Sequence, residues 1–277
     1  GSVPARPPIP GLDLPGVVTS DEVLEGNPID YKNLVIIGGG VIGVEFATFY
    51  NRLGCEVTIL EAMERLLPTM DREISQNIGM ILKKRGVSIH TGAMVQKITA
   101  DDGTLCCQFA KGDQNQSVRA QGVLVAIGRR PNTEGLFESE MTPEMERGRI
   151  VTNEDFSTSL EQVWAIGDVT SRIQLAHLAS AQGIAVAERI AGHTPSVNLS
   201  LVPSCIYTDP EIASVTSRGL LTAVNPGIVK IRATLLSTGQ TAVCTVYVRE
   251  DDSSTTAAPF PAARSQKKAQ AVEEDIQ

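Results

Sequence analysis

The sequence predicts an α/β fold: a parallel sheet with crossover helices, interrupted by a β-meander and followed by a short all-β segment. Three observations predict it. Oily, strand-length runs alternate with helical periodicity over residues 33–90. Three short strand patterns then follow, separated by Asp101-Asp102-Gly103 and by the polar residues 111–116, which are hairpin signals. After about residue 215 small, β-branched and polar residues alternate, with turns at Asn225-Pro226-Gly227 and Ser237-Thr238-Gly239.

Taken in order, residues 1–30 are rich in Pro and Gly and read as an extended lead-in. Residues 33–38 form a buried strand pattern, 41–53 a helix and 56–60 a second strand. Residues 71–85 have helical periodicity ending before Gly86, and 87–90 give a third strand. Strand, helix, strand, helix, strand implies parallel pairing with right-handed crossovers. The meander occupies 95–100, 105–110 and 117–120. Residues 123–127 read as another buried strand, stopped by Gly128-Arg129-Arg130-Pro131-Asn132. A short strand at 163–166 and a helix at 176–190 follow. Residues 249–277 are polar and poor in large apolar side chains, a composition that predicts disorder.

The 277 residues carry a formal charge of −8, from 24 basic and 32 acidic side chains. No basic stripe offsets it, so no nucleic-acid partner is expected. No apolar run is long enough to span a bilayer and no signal-peptide pattern is present, so no membrane partner and a cytoplasmic location are expected. Five cysteines, at 55, 106, 107, 205 and 244, lack the spacing of a CxxC pair or a zinc site. Buried or half-buried thiols in a reducing compartment are expected, with Cys106 and Cys107 on opposite faces of a strand.

One turn carries chemistry. Gly38-Gly39-Gly40-Val41-Ile42-Gly43 fits G-x-G-x-x-G, with a strand before it and a helix after it. Gly38 permits the tight turn, Gly40 lets the backbone approach a pyrophosphate, and Gly43 lets helix and sheet pack closely. The helix start offers free N–H groups and a partial positive charge. Glu61 ends the next strand, where a carboxylate accepts hydrogen bonds from an adenosine ribose and repels a 2′-phosphate. A Rossmann-like domain favouring NAD(H) over NADP(H) is the reading. The competing readings are a glycine turn that binds nothing and a solvated acid at a strand end.

Six stretches carry a resemblance: GSVPARPPIPGLD (1–13), GGGVIGVEFATFYNRLGCEVTILEA (38–62), LVAIGRRPNT (124–133), VWAIGDV (163–169), LAHLASAQG (175–183) and PSCIYTDPEIASV (203–215). In this order they resemble the flavoprotein disulfide reductases of class I, the pyridine nucleotide-disulfide oxidoreductases, and most of all the dihydrolipoyl dehydrogenase group. The resemblance covers residues 1–215. It implies NAD on Gly38–Gly43 and Glu61, with Val95 and Gly128 flanking the bound dinucleotide and Glu45 near the nicotinamide. It implies that Asp168 holds the FAD ribityl chain and that the Ala176 backbone touches the same flavin. His177 is expected to pack at a helix start. Arg129 and Arg130 are either surface charges beside a turn or neighbours of the dinucleotide.

The implied family reaction is a relay in which dihydrolipoamide reduces an active disulfide, the thiolate reduces FAD, and NAD takes the hydride. No CxxxxC pair for that disulfide and no second G-x-G-x-x-G for FAD occur in these residues. Gly192-His193-Thr194-Pro195 lacks the context of the family's His–Glu acid–base pair. The chain is therefore expected to be a fragment that binds NAD(H), holds FAD weakly or not at all, and has no catalytic residue or metal of its own. The family homodimer and the 2-oxo acid dehydrogenase complex are implied partners of the whole enzyme, not expected of this chain.

Residues 212–235, IASVTSRGLLTAVNPGIVKIRATL, resemble half of a bacterial Ig-like domain of group 2, suggesting a join near 212–219. The expected organisation is a lead-in from an FAD domain (1–30), an NAD-binding domain (31–151), a returning strip of FAD domain (152–199), the start of an interface domain (200–215), a partial Ig-like segment (216–248) and a disordered tail (249–277). The alternatives are a flavoprotein disulfide reductase for another substrate, of mercuric or coenzyme A disulfide type, and a secreted Ig-like adhesion fragment.

Overall fold

The computed structural model describes residues 1–26 and 31–208, and the backbone of four strands beyond them. In chain order the first elements are β1 (Ser2–Pro4), β2 (Val17–Thr19), α1 (Ser20–Leu24), β3 (Asn33–Ile37), α2 (Val41–Arg52), β4 (Glu56–Glu61), α3 (Arg72–Lys84) and β5 (Ser88–Thr91). The meander follows as β6 (Ala93–Asp101), β7 (Thr104–Lys111) and β8 (Gln114–Ala120). Next come β9 (Gly122–Val125), β10 (Arg129–Pro131), β11 (Met145–Glu146), β12 (Arg149–Ile150), α4 (Ala176–Ile190) and β13 (Leu201–Ser204). The last four are β14 (Ala213–Val215), β15 (Leu221–Ala223), β16 (Gly227–Leu235) and β17 (Thr241–Val248).

The centre is a parallel five-stranded sheet in the order β2-β9-β3-β4-β5. Its inner strands are apolar at nearly every position because both faces are covered. Side chains alternate between faces along each strand. Leu34 and Ile36 join Val57, Ile59 and Leu124 in a core against Val44, Ala47 and Tyr50 of α2 and Ile78 and Leu82 of α3. Val35, Ile37, Leu60, Val123 and Val125 pack on the other face against Val95, Ile98, Cys107 and Phe109 of the meander. The strictly antiparallel order β6-β7-β8 keeps that cover in register, apart from an irregularity between Val95 and Lys97.

Three features differ from the sequence reading. The lead-in is not simply extended: β2 forms the outer strand of the central sheet, and β1 pairs antiparallel with β10. Three-residue strands carry too little periodicity to be seen locally; long-range pairing defines them. The strand expected at 163–166 is absent, and only Trp164 makes a single bridge, to Ser157. An oily run there contributes Ala165 to a small core with Ile150 and Val169 instead of joining a sheet. Arg129 is not a free surface charge: it is half-buried and ion-paired with Asp21 at 2.6 Å.

Cys55, Cys106, Cys107 and Cys205 are free thiols. Burial pushes Cys107 up to about 12, with the neighbouring Cys106 adding to the rise. Beyond residue 208, β13-β16-β17 and β14-β15 pair antiparallel. The turns read at 225–227 and 237–239 fall largely, and the tail at 249–277 wholly, outside the described residues.

Candidate functional site

The site is built where three parallel strands end. β3 runs into Gly38, β4 ends on Glu61, and β9 leads through Ala126 and Ile127 to Gly128. Gly38 has φ +109°, a conformation open to glycine, and a Cβ there would collide with the Ala126 carbonyl oxygen. Gly43, in the first turn of α2, lies so close to the Gly38 carbonyl oxygen that any Cβ would strike it. A Cβ on Gly40 would meet nothing within 4 Å. The turn is thus closed against its own protein at Gly38 and Gly43 and open to the outside at Gly40.

Glu61 is only 7% exposed, yet each carboxylate oxygen has a partner. The Gly39 N–H donates to Oε2 at 2.5 Å and the Met63 N–H donates to Oε1 at 2.7 Å. Its carboxylate therefore clamps the glycine turn to the loop after β4, a role that motif spacing alone does not reveal. The Leu67 N–H donates to the Gly39 carbonyl at 2.8 Å and closes the same loop over the turn.

A cavity of about 890 Å³ lies over this turn. It is lined by Gly38, Gly40, Val41, Ile42, Glu61 and Val95, and on the opposite side by Gly128, Arg129, Gln174 and Cys205. Its size falls in the range of small-molecule sites, roughly 300–1,000 Å³. The walls are mainly apolar, and the start of α2 contributes first-turn N–H groups that have no acceptor within the helix. Gly39 and Gly43 support the turn from behind without lining the cavity.

Glu45 lies elsewhere. It faces a neighbouring cavity with Phe46, Phe49 and Leu53, which shares only Ile42 and Arg129 with the first. The Tyr207 N–H donates to its carboxylate at 2.8 Å. Burial raises the Glu45 carboxyl above the ordinary glutamate range, and the Tyr207 hydrogen bond opposes the rise.

Asp168 sits in a single 3-10 turn, Gly167–Val169, half-buried and outside both cavities. Ser2 Oγ donates to its Oδ2 at 2.6 Å, and Arg129 Nε donates to Ser2 Oγ at 2.8 Å. Arg129 also donates to Asp21 and holds that carboxyl below the ordinary aspartate range. One guanidinium so joins β10, β1, α1 and the Asp168 turn. Ala176 opens α4 and is exposed; next to it His177 Nε2 contacts the Pro203 carbonyl at 2.9 Å, tying α4 to β13. Among the described residues no group of three or more His, Cys, Asp or Glu is placed to hold a metal, and no helix is long and apolar enough to cross a membrane.

A family model described as pyridine nucleotide-disulphide oxidoreductase matches residues 1–183. The chain belongs to the pyridine nucleotide-disulphide oxidoreductase family. Dihydrolipoyl dehydrogenase of Bacillus subtilis (strain 168) is 40% identical over 212 residues, covering 75% of this chain and 44% of that protein. Dihydrolipoyl dehydrogenase 3 of Pseudomonas aeruginosa is 40% identical over 219 residues, covering 78% of this chain and 46% of that protein. This chain thus spans less than half the length of these two relatives. Among solved structures, the Cu(II) complex of the HOCl-induced flavoprotein disulfide reductase RclA from Escherichia coli superposes with a TM-score of 0.71 at 25% identity, covering 89% of this chain and 61% of that one. LpdA from Mycobacterium tuberculosis shares the fold, with a TM-score of 0.70 at 22% identity over 89% of this chain and 58% of that one. This pyridine nucleotide-disulphide oxidoreductase chain therefore carries the mixed α/β architecture, with its parallel sheet, that these neighbours share.

Proposed function

We propose that this chain binds NAD(H) in the cavity over the Gly38–Gly43 turn and contributes that half of a dihydrolipoyl dehydrogenase-type oxidoreductase. The observation that carries the reading is the one-sided openness of the turn. Gly38 and Gly43 exclude a side chain for reasons internal to the protein, whereas Gly40 has free space before it that a pyrophosphate would fill. The N-terminus of α2 supplies donors and positive potential to that phosphate. Glu61 sets its carboxylate at the β4 side, where it disfavours a 2′-phosphate; Val95 and Gly128 bound the remaining length. Bound NAD supplies hydride-acceptor chemistry; the residues here bind it, orient it and exclude water.

Asp168 and Ala176 are assigned to an FAD contact in the complete enzyme, as part of a strip over residues 152–199. These residues include no CxxxxC pair, so the chain by itself carries NAD(H) without turning over lipoamide. Dihydrolipoamide is favoured as the whole enzyme's substrate because the two curated relatives bear that enzyme's name. The antiparallel β16–β17 pair supports reading residues 216–248 as a partial Ig-like segment.

Calorimetric titration of the purified chain with NADH, NADPH and FAD tests this. NADH is expected to bind, NADPH more weakly, and FAD weakly or not at all. Absence of NADH binding, or a preference for NADPH, overturns the nucleotide assignment. Lipoamide-dependent NADH formation by the same preparation overturns the assignment of an inactive half.

A further inference from the structure

We propose that Gln174 recognises the carboxamide of the nicotinamide ring, which makes it a specificity residue of the nucleotide site. The proposal rests on the reading that the cavity takes NAD(H). Its own observation is independent of the glycine motif: the Gln174 Nε2 atom is buried and has no hydrogen-bond partner, although the residue lines the cavity. A buried amide nitrogen without an acceptor is costly, and native proteins rarely keep one without a use. The missing acceptor is the property to explain.

Sheet order tells which end of a dinucleotide Gln174 would meet. Across the sheet, β9, β3 and β4 are neighbours, so the chain segments leaving their carboxyl ends lie side by side. The glycine turn leaves β3, Glu61 ends β4 on one flank, and Gly128 follows β9 on the other. A nucleotide with its pyrophosphate on the turn and its adenosine ribose toward Glu61 extends its second half toward Gly128. Gln174 belongs to that second half. Its segment follows the Asp168 turn, which is bonded to β1 through Ser2, and β1 pairs with β10 directly after Gly128.

A primary amide is the complement of a primary carboxamide. Gln174 Nε2 donates to the carboxamide oxygen, while its Oε1 accepts from the carboxamide NH2 group. Neither contact is available to a nucleotide that ends at the ribose. The surrounding Ile42, Val202 and Leu175 give the ring an apolar bed, so the amide supplies direction where the rest of that wall supplies only contact.

The experiment uses the whole chain with two variants, Gln174→Leu and Gln174→Glu, titrated with NADH and with ADP-ribose, which lacks the nicotinamide. Circular dichroism melts check that both variants fold. NADH affinity is expected to fall roughly tenfold in Gln174→Leu, about the worth of one to two hydrogen bonds. It falls in the same sense in Gln174→Glu, which loses the donor, while ADP-ribose affinity stays unchanged in both. Equal NADH affinity in wild type and variants overturns the proposal. So does a parallel loss of ADP-ribose affinity, which marks a merely structural role. Failure of the wild type to bind either nucleotide overturns the NAD(H) reading itself, and the proposal with it.

Discussion

The Gly39 N–H donates to Glu61 Oε2 at 2.5 Å, linking the turn after one strand to the last residue of its neighbour. The second carboxylate oxygen takes the Met63 N–H at 2.7 Å. A buried acid thereby shapes the turn before any nucleotide arrives. Removing it should act on stability as well as on binding. Glu61→Ala is expected to destabilise the fold by about 2–3 kcal/mol, since two buried N–H groups lose a charged acceptor. Urea unfolding measures the loss, and the NADH-to-NADPH affinity ratio measured alongside should fall toward one.

Gly40 and Gly43 are separated by one helical turn but have opposite surroundings. Gly43→Ala drives a methyl group into the Gly38 carbonyl and should cost at least about 2 kcal/mol or prevent folding. Gly40→Ala meets no protein atom and should change stability by less than about 1 kcal/mol. NADH binding should nevertheless be lost, because the methyl group occupies the approach to the pyrophosphate. Denaturation and titration of the two variants side by side check both halves. A binding-competent Gly40→Ala protein contradicts the proposed nucleotide position.

Asp21 is held below its ordinary range chiefly by the hydrogen bond from Arg129, with their mutual charge attraction adding to it. Its folded value lies below its unfolded value. The pair therefore stabilises above the ordinary aspartate range, near 3.9, and the stabilisation disappears as pH falls through the lowered value. Both side chains are partly exposed, so solvent screening limits the effect to about 0.2–1 kcal/mol. Asp21→Asn should be less stable than wild type at neutral pH, with the gap closing in acid. Chemical unfolding across that pH interval measures the closure.

Glu45 has the opposite sign. Burial raises its carboxyl, so the folded protein favours the neutral acid. Stability from this group is full below the ordinary glutamate range and is lost as pH rises through the raised value. Glu45→Gln keeps an acceptor for the Tyr207 N–H and has no charge to bury. The variant should gain stability relative to wild type as pH rises from acid to neutral, read as a growing difference in urea midpoint.

Cys106 and Cys107 are adjacent on β7 but face opposite sides. With its thiol pushed up to about 12 by burial, Cys107 should react last with iodoacetamide near neutral pH, and the half-buried Cys106 well before it. Mass spectrometry of peptides after timed alkylation gives the order. Equal rates at the two positions contradict the packing of β7 on the central sheet.

Residues 33–91 were readable from sequence because their signals are local. The run at 34–37, the glycine spacing and the periodicity of α3 each specify conformation within a few residues. The meander was readable for the same reason, through Asp102-Gly103 and Gly112-Asp113 at its turns. The helix at 176–190 also matched, whereas the oily stretch at 163–166 did not, because an apolar run states that a segment is buried and leaves open what it packs against.

By itself, then, the sequence determined the alternation of strand and helix, the glycine turn and the acid that follows it. Tertiary structure decided what those pieces touch. It placed Ser2 against Asp168 across 166 positions, gave β2 its place at the sheet edge, and engaged Arg129 with Asp21. It also turned Glu45 away from the main cavity and left the Gln174 amide without an acceptor inside it. The physical reason is range: backbone conformation answers to neighbours a few residues away, while burial and hydrogen-bond partners are set by chain segments that only folding brings together.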